Sequence, residues 1–382
     1  MKIINLSSIA NPISISVQNP SRSDYDRFIG LEHYDSGEPV ITRFQGTELL
    51  TTSAKAFKAN DILIARRNVY LKRAGIVFFD GITSGDSIIL RLKEDTQKTI
   101  GYSREDLIRY IPFMLNSEHF WIYANKHADG MNSKRISKDT LLEYEFELPS
   151  IDEMRDISDK LWAAYRLKEA YKKLLVTTDE MVKSQFIEMY YNTHNKQTLE
   201  SVCPIMSKGI TPKYVESSSV LVINQACIHW DGQRLGNIKY HNEEIPVRKR
   251  ILESGDVLLN ATGNGTLGRC CVFICPSDNN TYINDGHVIA LSTDRAVILP
   301  EVLNTYLSLN DTQAEIYRQY VTGSTNQVDI VFSDIKKMKV PVPSMDEQIL
   351  FVEVLTQADK SKFELKQCIE NIDKVIKSLI NG

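Results

Sequence analysis

A chain of 382 residues is too long for one ordinary domain and comfortable for two. It is 42% apolar and 25% charged, and 45 Lys and Arg against 49 Asp and Glu give a net charge of −4, so no overall positive charge advertises nucleic acid. No run approaches the ~18 uninterrupted apolar residues of a membrane span, and Met1-Lys2-Ile3-Ile4-Asn5 opens no signal-peptide core, which excludes a membrane partner and predicts a cytoplasmic chain with six reduced cysteines.

In chain order, residues 1–148 are short apolar runs such as Ala74-Gly75-Ile76-Val77-Phe78-Phe79, punctuated by Gly, Asn, Asp and Ser. That is the pattern of strands joined by turns, with a helical patch at 104–115. Residues 149–194 predict a single long helix. Pro149 precedes Ser150, and Glu153 follows three residues later, the capping box that starts a helix. Residues 195–342 return to strands, among them Cys270-Cys271-Val272-Phe273-Ile274, with a helical patch at 300–320. Residues 343–382 predict a second long helix, opened by Pro343, Ser344 and Glu347. At ~1.5 Å per residue, ~38 helical residues make a rod of about 55–60 Å.

The second half repeats the first. Leu148-Pro149-Ser150-Ile151-Asp152-Glu153 recurs as Val342-Pro343-Ser344-Met345-Asp346-Glu347, 194 residues on. Asn60-Asp61-Ile62-Leu63-Ile64 matches Gly255-Asp256-Val257-Leu258-Leu259, and His33-Tyr34-Asp35 matches His229-Trp230-Asp231. The matches keep their order with small shifts of offset, which points to a duplication. With Met154 at heptad position a, the first helix places Leu161, Ala164, Lys168, Leu175 and Val182 on its seam. Adding 194 gives Leu355, Ala358, Lys362, Ile369 and Ile376. Lysine at the same a position and alanine at the same d position in both copies predict that the helices pair with each other, antiparallel about a pseudo-twofold. The alternative is that each helix covers only its own domain.

Three motifs invite chemistry and are read more plainly. Gly263-Asn264-Gly265-Thr266-Leu267-Gly268 satisfies GxGxxG, but a strand-like run follows it where a nucleotide site needs a helix N-terminus, so a turn between strands is expected. Cys270, Cys271 and Cys275 lack a four-ligand metal spacing, and adjacent strand residues face opposite ways, so they read as small buried hydrophobes. His33 and His229 read as turn residues, with base stacking by Tyr34 or Trp230 left open. No catalytic residue, cofactor or metal is expected.

The proline-led helix starts, Gly255-Asp256-Val257-Leu258-Leu259 running into 263–269, and Thr322-Gly323-Ser324-Thr325-Asn326-Gln327 before the last strand together resemble the specificity subunit of type I restriction–modification systems. The resemblance spans the chain. In the first half, Arg66-Arg67-Asn68-Val69-Tyr70-Leu71-Lys72-Arg73 stands where the glycine-rich loop should be, and Gly130-Met131-Asn132-Ser133 replaces the Gly-Ser-Thr-Asn run. It implies an α/β fold of the α+β kind: target-recognition domain 1 (1–148), spacer helix 1 (149–194), target-recognition domain 2 (195–342) and spacer helix 2 (343–382). It also implies a non-catalytic subunit that recognises a bipartite asymmetric site on double-stranded DNA. Such a subunit docks DNA methyltransferase subunits, two by the pseudo-twofold, and in a fuller assembly restriction/translocase subunits. The competing expectation is a coiled-coil scaffold whose end domains bind ligands or proteins.

Residues 1–150 carry 19 basic and 19 acidic groups, and 195–343 carry 14 and 15, so any DNA-binding surface must be a local patch. The candidates are Arg66, Arg67, Lys72 and Arg73 in the first half, and Arg248, Lys249, Arg250 and Arg269 in the second. Asn260, Thr262, Asn264, Thr325, Asn326 and Gln327 join them because they lie in or beside the family-like loops. Arginine can read guanine and Asn or Gln adenine, whereas lysine more often neutralises phosphate.

Overall fold

The computed structural model describes residues 2–131, 133–191, 193–324 and 327–381, the side chains of Ser324 and Gln327 excepted. By its contacts the chain forms two compact units, Met1–Lys172 with Leu365–Gly382, and Lys173–Glu364, so each long helix contributes a stretch to both. Among the described residues no helix is long and apolar enough to cross a membrane.

In the first unit a four-stranded antiparallel sheet runs in the spatial order Ala10–Ile13, Ser87–Leu92, Ile62–Ala65, Ala74–Ile76. Its central strand Ile62–Ala65 is buried on both faces. Ile62 and Ile64 join a core with Leu107, Ile111, Phe120 and Trp121 of the helices Arg104–Met114 and Glu118–Lys126, while Leu63 and Ala65 join a second core with Ile29, Ile41 and Phe57. The two-residue alternation of a strand thus serves two layers, and this is why the run is uninterrupted in hydrophobicity. The chain's start, Lys2–Asn5, pairs antiparallel with Glu145–Leu148, the strand that leads into the first long helix.

The second unit repeats this plan. Ile205–Lys208, Val288–Ser292, Val257–Asn260 and Cys270–Val272 form the equivalent sheet, and Lys196–Thr198 pairs with Lys339–Pro341. Cys270 faces one core and Cys271 the other, as adjacent strand residues must. The helical patch at 300–320 is two helices, Pro300–Ser308 and Asn310–Gln319, because Leu309 between them is extended and buried. The outer sheets differ. Both contain a parallel pair, Phe28–Ile29 with Gly81–Thr83 and Val220–Ile223 with Thr281–Asn284. The first unit adds Ala54–Phe57 beside Gly81–Thr83, whereas the second adds Lys239–His241 beside Val220–Ile223, on the other side of the pair.

At the turn entering each central strand sits a buried aspartate. Asp61 accepts two bonds from Arg91, at 2.7 and 2.6 Å, and one from the Lys58 N–H. Asp256 accepts from Ser292 Oγ at 2.6 Å, from Arg250 at 3.2 Å and from the Glu253 N–H. The positive φ this turn needs comes from Asn60 in one copy and Gly255 in the other.

The long helices span Ile151–Phe186 and Met345–Asn381, and a π-helical turn, Ile187–Tyr191, extends the first. Both capping boxes form: Ser150 N–H donates to Glu153 at 3.0 Å and Ser344 N–H to Glu347 at 2.9 Å. Leu161 and Ile376 lie in the core of the first unit with Ala164 packed against it; Val182 and Ala358 lie in that of the second, with Leu355 beside them. Leu175 and Ile369 are half-buried. The matched lysines make matched ion pairs: Lys168 Nζ lies 2.5 Å from Asp373, and Lys362 Nζ lies 2.8 Å from Asp179. Both members of each pair map onto the other pair by the offset of 194. A lysine at a seam position is costly unless paired, and each pair forms in one register, so it selects that register against slipped ones.

In the first unit a loop is also tied to the long helix. Glu38 accepts from Lys168 at 2.6 Å and from Lys172 at 3.0 Å, which ties the loop before Val40 to the helix. Burial pushes the Glu38 carboxyl up, but the two ammonium groups outweigh it and hold it below the usual carboxylate range. A carboxylate depressed in the folded state stabilises above its unfolded pKa of about 4.3 and ceases to as pH falls through the folded value. Glu38→Gln should therefore cost the first unit about 2 kcal/mol at pH 7, the scale of a hydrogen bond to a charged group. In urea unfolding, the gap from the native chain should close below about pH 4. A gap undiminished at pH 3 would rule out the ionic origin.

Candidate nucleic-acid interface

Several basic and polar candidates are occupied in holding the fold. Asn260 is fully buried in its strand and donates to the Gln225 carbonyl at 3.2 Å, so it cannot reach a groove and is a packing residue. Arg73 donates to the carbonyls of Leu31 and Arg67, both at 3.0 Å, and Arg250 is held by Asp256 and Glu253 with its side chain only 16% exposed. These two arginines brace loops. Arg269 donates to the Gly265 carbonyl and Lys249 to those of Lys208 and Gly209, so each side chain steadies backbone beside the surface. Lys72, Asn264 and Arg248 are exposed. Thr325 and Asn326, and the side chain of Gln327, lie outside the described residues.

What the fold brings together is the end of each central strand and a hairpin from far along the chain. In the first unit Arg66 N–H donates to the Asp86 carbonyl at 2.9 Å, and Ile136 N–H donates to the Arg66 carbonyl at 3.0 Å. In the second, Ala261 N–H donates to the His287 carbonyl and Ile330 N–H to the Ala261 carbonyl, both at 2.8 Å. One residue further on, Arg67 bridges Arg135 and Thr262 bridges Asp329. The hairpins carry Gly130 and Gly323 at almost the same φ, +115° and +114°. A Cβ on Gly130 would lie 2.9 Å from the Ser133 carbonyl oxygen, so the turn needs glycine on both counts.

The backbone of this crossing is shared and its side chains are not. In the first unit Arg67 donates to Ser133 Oγ at 2.9 Å, and Arg67 and Arg135 lie 3.8 and 3.7 Å from the two oxygens of Asp86. Lys55, anchored on the carbonyls of Gly85 and Ser87, stands close by; burial first, then the charges of Arg66 and Lys138, push its ammonium below the usual lysine range. In the second unit Thr262 Oγ1 lies 2.9 Å from His287 Nδ1 and accepts from Gln225, while Asp329 is paired with Lys208 at 2.7 Å. Lys55, Arg135, Lys138, Lys208, Gln225, His287 and Asp329 were not candidates from the sequence. Aligning Gly130 with Gly323 in the repeat would have set Arg135 within one residue of Asp329.

The remaining motifs take structural places. The loop 263–268 turns directly from the strand Val257–Asn260 into Cys270–Val272, with positive φ at all three glycines and no helix to receive a phosphate. Cys270 and Cys271 are buried, Cys275 is half-buried, and among the described residues no group of His, Cys, Asp and Glu is arranged to hold a metal. His33 Nδ1 accepts from the Gly30 N–H at 2.9 Å, and His229 Nε2 lies 3.1 Å from the Ala226 carbonyl, both local turn bonds. Tyr34 is buried with its hydroxyl on Ser87, and burial pushes its pKa up to about 12, so it does not stack on bases; Trp230 is half-exposed.

Residues 195–374 match the family model of the type I restriction modification DNA specificity domain. No curated protein is significantly similar in sequence. Among solved structures, a chain from a study of complex assembly and conformational transition of the type I R-M system overlays with a TM-score of 0.59 at 15% identity, covering 99% of this chain and 96% of that one. The HsdS subunit from Thermoanaerobacter tengcongensis (TM-score 0.42, 16% identity, 99% and 95% covered) and the type I restriction-modification S subunit from M. genitalium (0.47, 13%, 100% and 96%) overlap less closely. The first of the three shows the fold over the whole length. The family's domain thus lies in the second half of the chain, and the same core sheet is repeated in its first half.

Proposed function

We propose that the chain is the recognition subunit of a type I restriction–modification assembly and reads a bipartite, asymmetric site on double-stranded DNA, one half-site per unit. The observation that supports this reading is the crossing of strand end and hairpin, held by the same backbone bonds in both units and lined by different side chains. A conserved frame with exchanged side chains suits two recognition surfaces that read different sequences. Base readout needs donors and acceptors held rigidly, and backbone-stitched positions such as 67, 135, 262 and 329 provide that. Exposed Lys72, Arg248 and Asn264, with Thr325, Asn326 and Gln327, extend the contact set to phosphates and neighbouring bases.

In this reading the chain supplies no chemistry of its own, binds no cofactor and works in the cytoplasm. Its long helices dock two methyltransferase subunits, and in a fuller assembly restriction/translocase subunits, while setting the separation of the half-sites. Methylome sequencing of a host expressing the chain with its methyltransferase partner tests this: a bipartite methylated motif is expected, and methylation without one would refute it. A ruler also has a length. Adding one heptad to each helix, within 161–182 and at the matching place in 355–376, lengthens both by about 10.5 Å. The unread spacer should then grow by about three base pairs at ~3.4 Å each. An unchanged spacer would show that the helices do not set it.

A further inference from the structure

The two crossings differ in charge, and that difference assigns bases. At the place where the second unit has Thr262 and Asp329, the first has Arg67 and Arg135, with one carboxylate, Asp86, between them. One carboxylate cannot neutralise both arginines. The separations of 3.8 and 3.7 Å exceed hydrogen-bond length, and the side chains are 44% and 47% exposed. Asp86 orients both guanidinium groups without consuming their donors. Ser133 Oγ takes Nε of Arg67 at 2.9 Å, which leaves the terminal nitrogens of that fork for another acceptor. The backbone under them is fixed: Asp129 and Arg135 exchange bonds at 2.9 and 2.8 Å, and Asn68 N–H donates to the Lys134 carbonyl at 2.8 Å.

A planar fork held on a rigid frame beside a surface is the arrangement that pairs with two acceptors on one base edge, and guanine N7 and O6 are those acceptors. Phosphate neutralisation needs no such rigidity, and Lys55 and exposed Lys138 stand near enough to supply it. In the second unit, Thr262 and the paired Asp329 offer a hydroxyl and a carboxylate at the same two positions, which cannot form that fork.

We infer that Arg67 and Arg135 are specificity-determining residues that read guanine in the half-site of the first unit. This rests on the DNA-reading role proposed above. The test uses the full chain purified with the methyltransferase subunits co-expressed with it. Duplexes are selected from a randomised library and sequenced for the native chain, Arg67→Lys and Arg135→Lys, and the salt dependence of binding is measured for each. Lysine keeps the charge and loses the fork. The expected result is that each variant relaxes discrimination at a guanine position of one half-site by at least about tenfold, with the other half-site and the salt slope unchanged. Unaltered base preference at every position overturns the inference. So does loss of both half-sites together. Arg67→Ala should also relax the guanine; a fall of about one in the salt slope with base preference intact would make Arg67 a phosphate contact and overturn the assignment. A native complex that selects no bipartite site would instead refute the proposed function itself.

Discussion

Phe351→Ala should destabilise the second unit by about 3–5 kcal/mol, the cost of emptying a large aromatic site in a packed core. Phe351 is fully buried at the start of the second long helix, its ring 5.2 Å from that of Phe186 and 5.7 Å from that of Tyr190, both edge-on. Phe186 and Tyr190 meet each other at 5.4 Å, so the three rings close a triangle between the helices. Collapse into the cavity is hindered because the Tyr190 hydroxyl donates to the Glu347 carbonyl, which fixes that ring from its far end. The residue 194 positions earlier is Ile157, so the first unit packs this site differently and should keep its stability. Because the chain has two units, one overall midpoint would blur the effect, and amide exchange is the better measurement. Protection in the strand Val257–Asn260 should fall by about two to four orders of magnitude, while that in Ile62–Ala65 should hold. Phe363→Ala, at a position 64% exposed on the same helix, should change neither. A loss below about 1 kcal/mol at Phe351 would show that the aromatic triangle is not what joins the helices here.

Asp61→Ala should cost the first unit a similar amount, about 3–5 kcal/mol, by a different mechanism. The Asp61 side chain is 1% exposed, and it satisfies both Arg91 nitrogens and the Lys58 N–H. Removing it strands a largely covered guanidinium and leaves a turn donor unmet, and unmet buried groups are costlier than a hydrogen bond is worth. Asp61→Asn should lose less, because an amide oxygen still accepts. In the second unit Ser292 occupies the strand position of Arg91 and Arg250 approaches Asp256 from another loop. Asp256→Ala therefore tests the same turn with a different partner set. Urea unfolding of Asp61→Ala within about 1 kcal/mol of the native chain would show that Arg91 finds water or another acceptor at little cost.

The features legible in the sequence are those whose physics is local. The capping boxes at Ser150 and Ser344 need three residues of context, and the heptad stripe that aligns Lys168 with Lys362 needs one helix and its repeat. Two-faced burial of 62–65 and 257–259 shows as unbroken apolar runs, and Cys270 and Cys271 divide between two cores for the same reason. The candidate site was half legible. A cluster of arginines marked the loop that holds Arg67, but nothing local separates Arg67, which faces outward, from Arg73, which holds two carbonyls. Asn260 looked like a groove residue from its place beside a glycine-rich loop, and it is buried because the strand continues through it.

The sequence by itself determined the duplication, the mixed helix-and-sheet character and the start of both long helices, because periodicity and capping are properties of neighbouring residues. Tertiary structure alone decided which charges remain available. Arg135 meets Arg67 across 68 residues of chain, joined by backbone bonds that any residue type can make and that therefore leave no compositional trace. The same holds for the outer sheets, which place their antiparallel strand on opposite sides of a common parallel pair. The net charge of −4 is the sum over a chain in which acidic groups elsewhere offset a small cationic site, so the total could not report the patch.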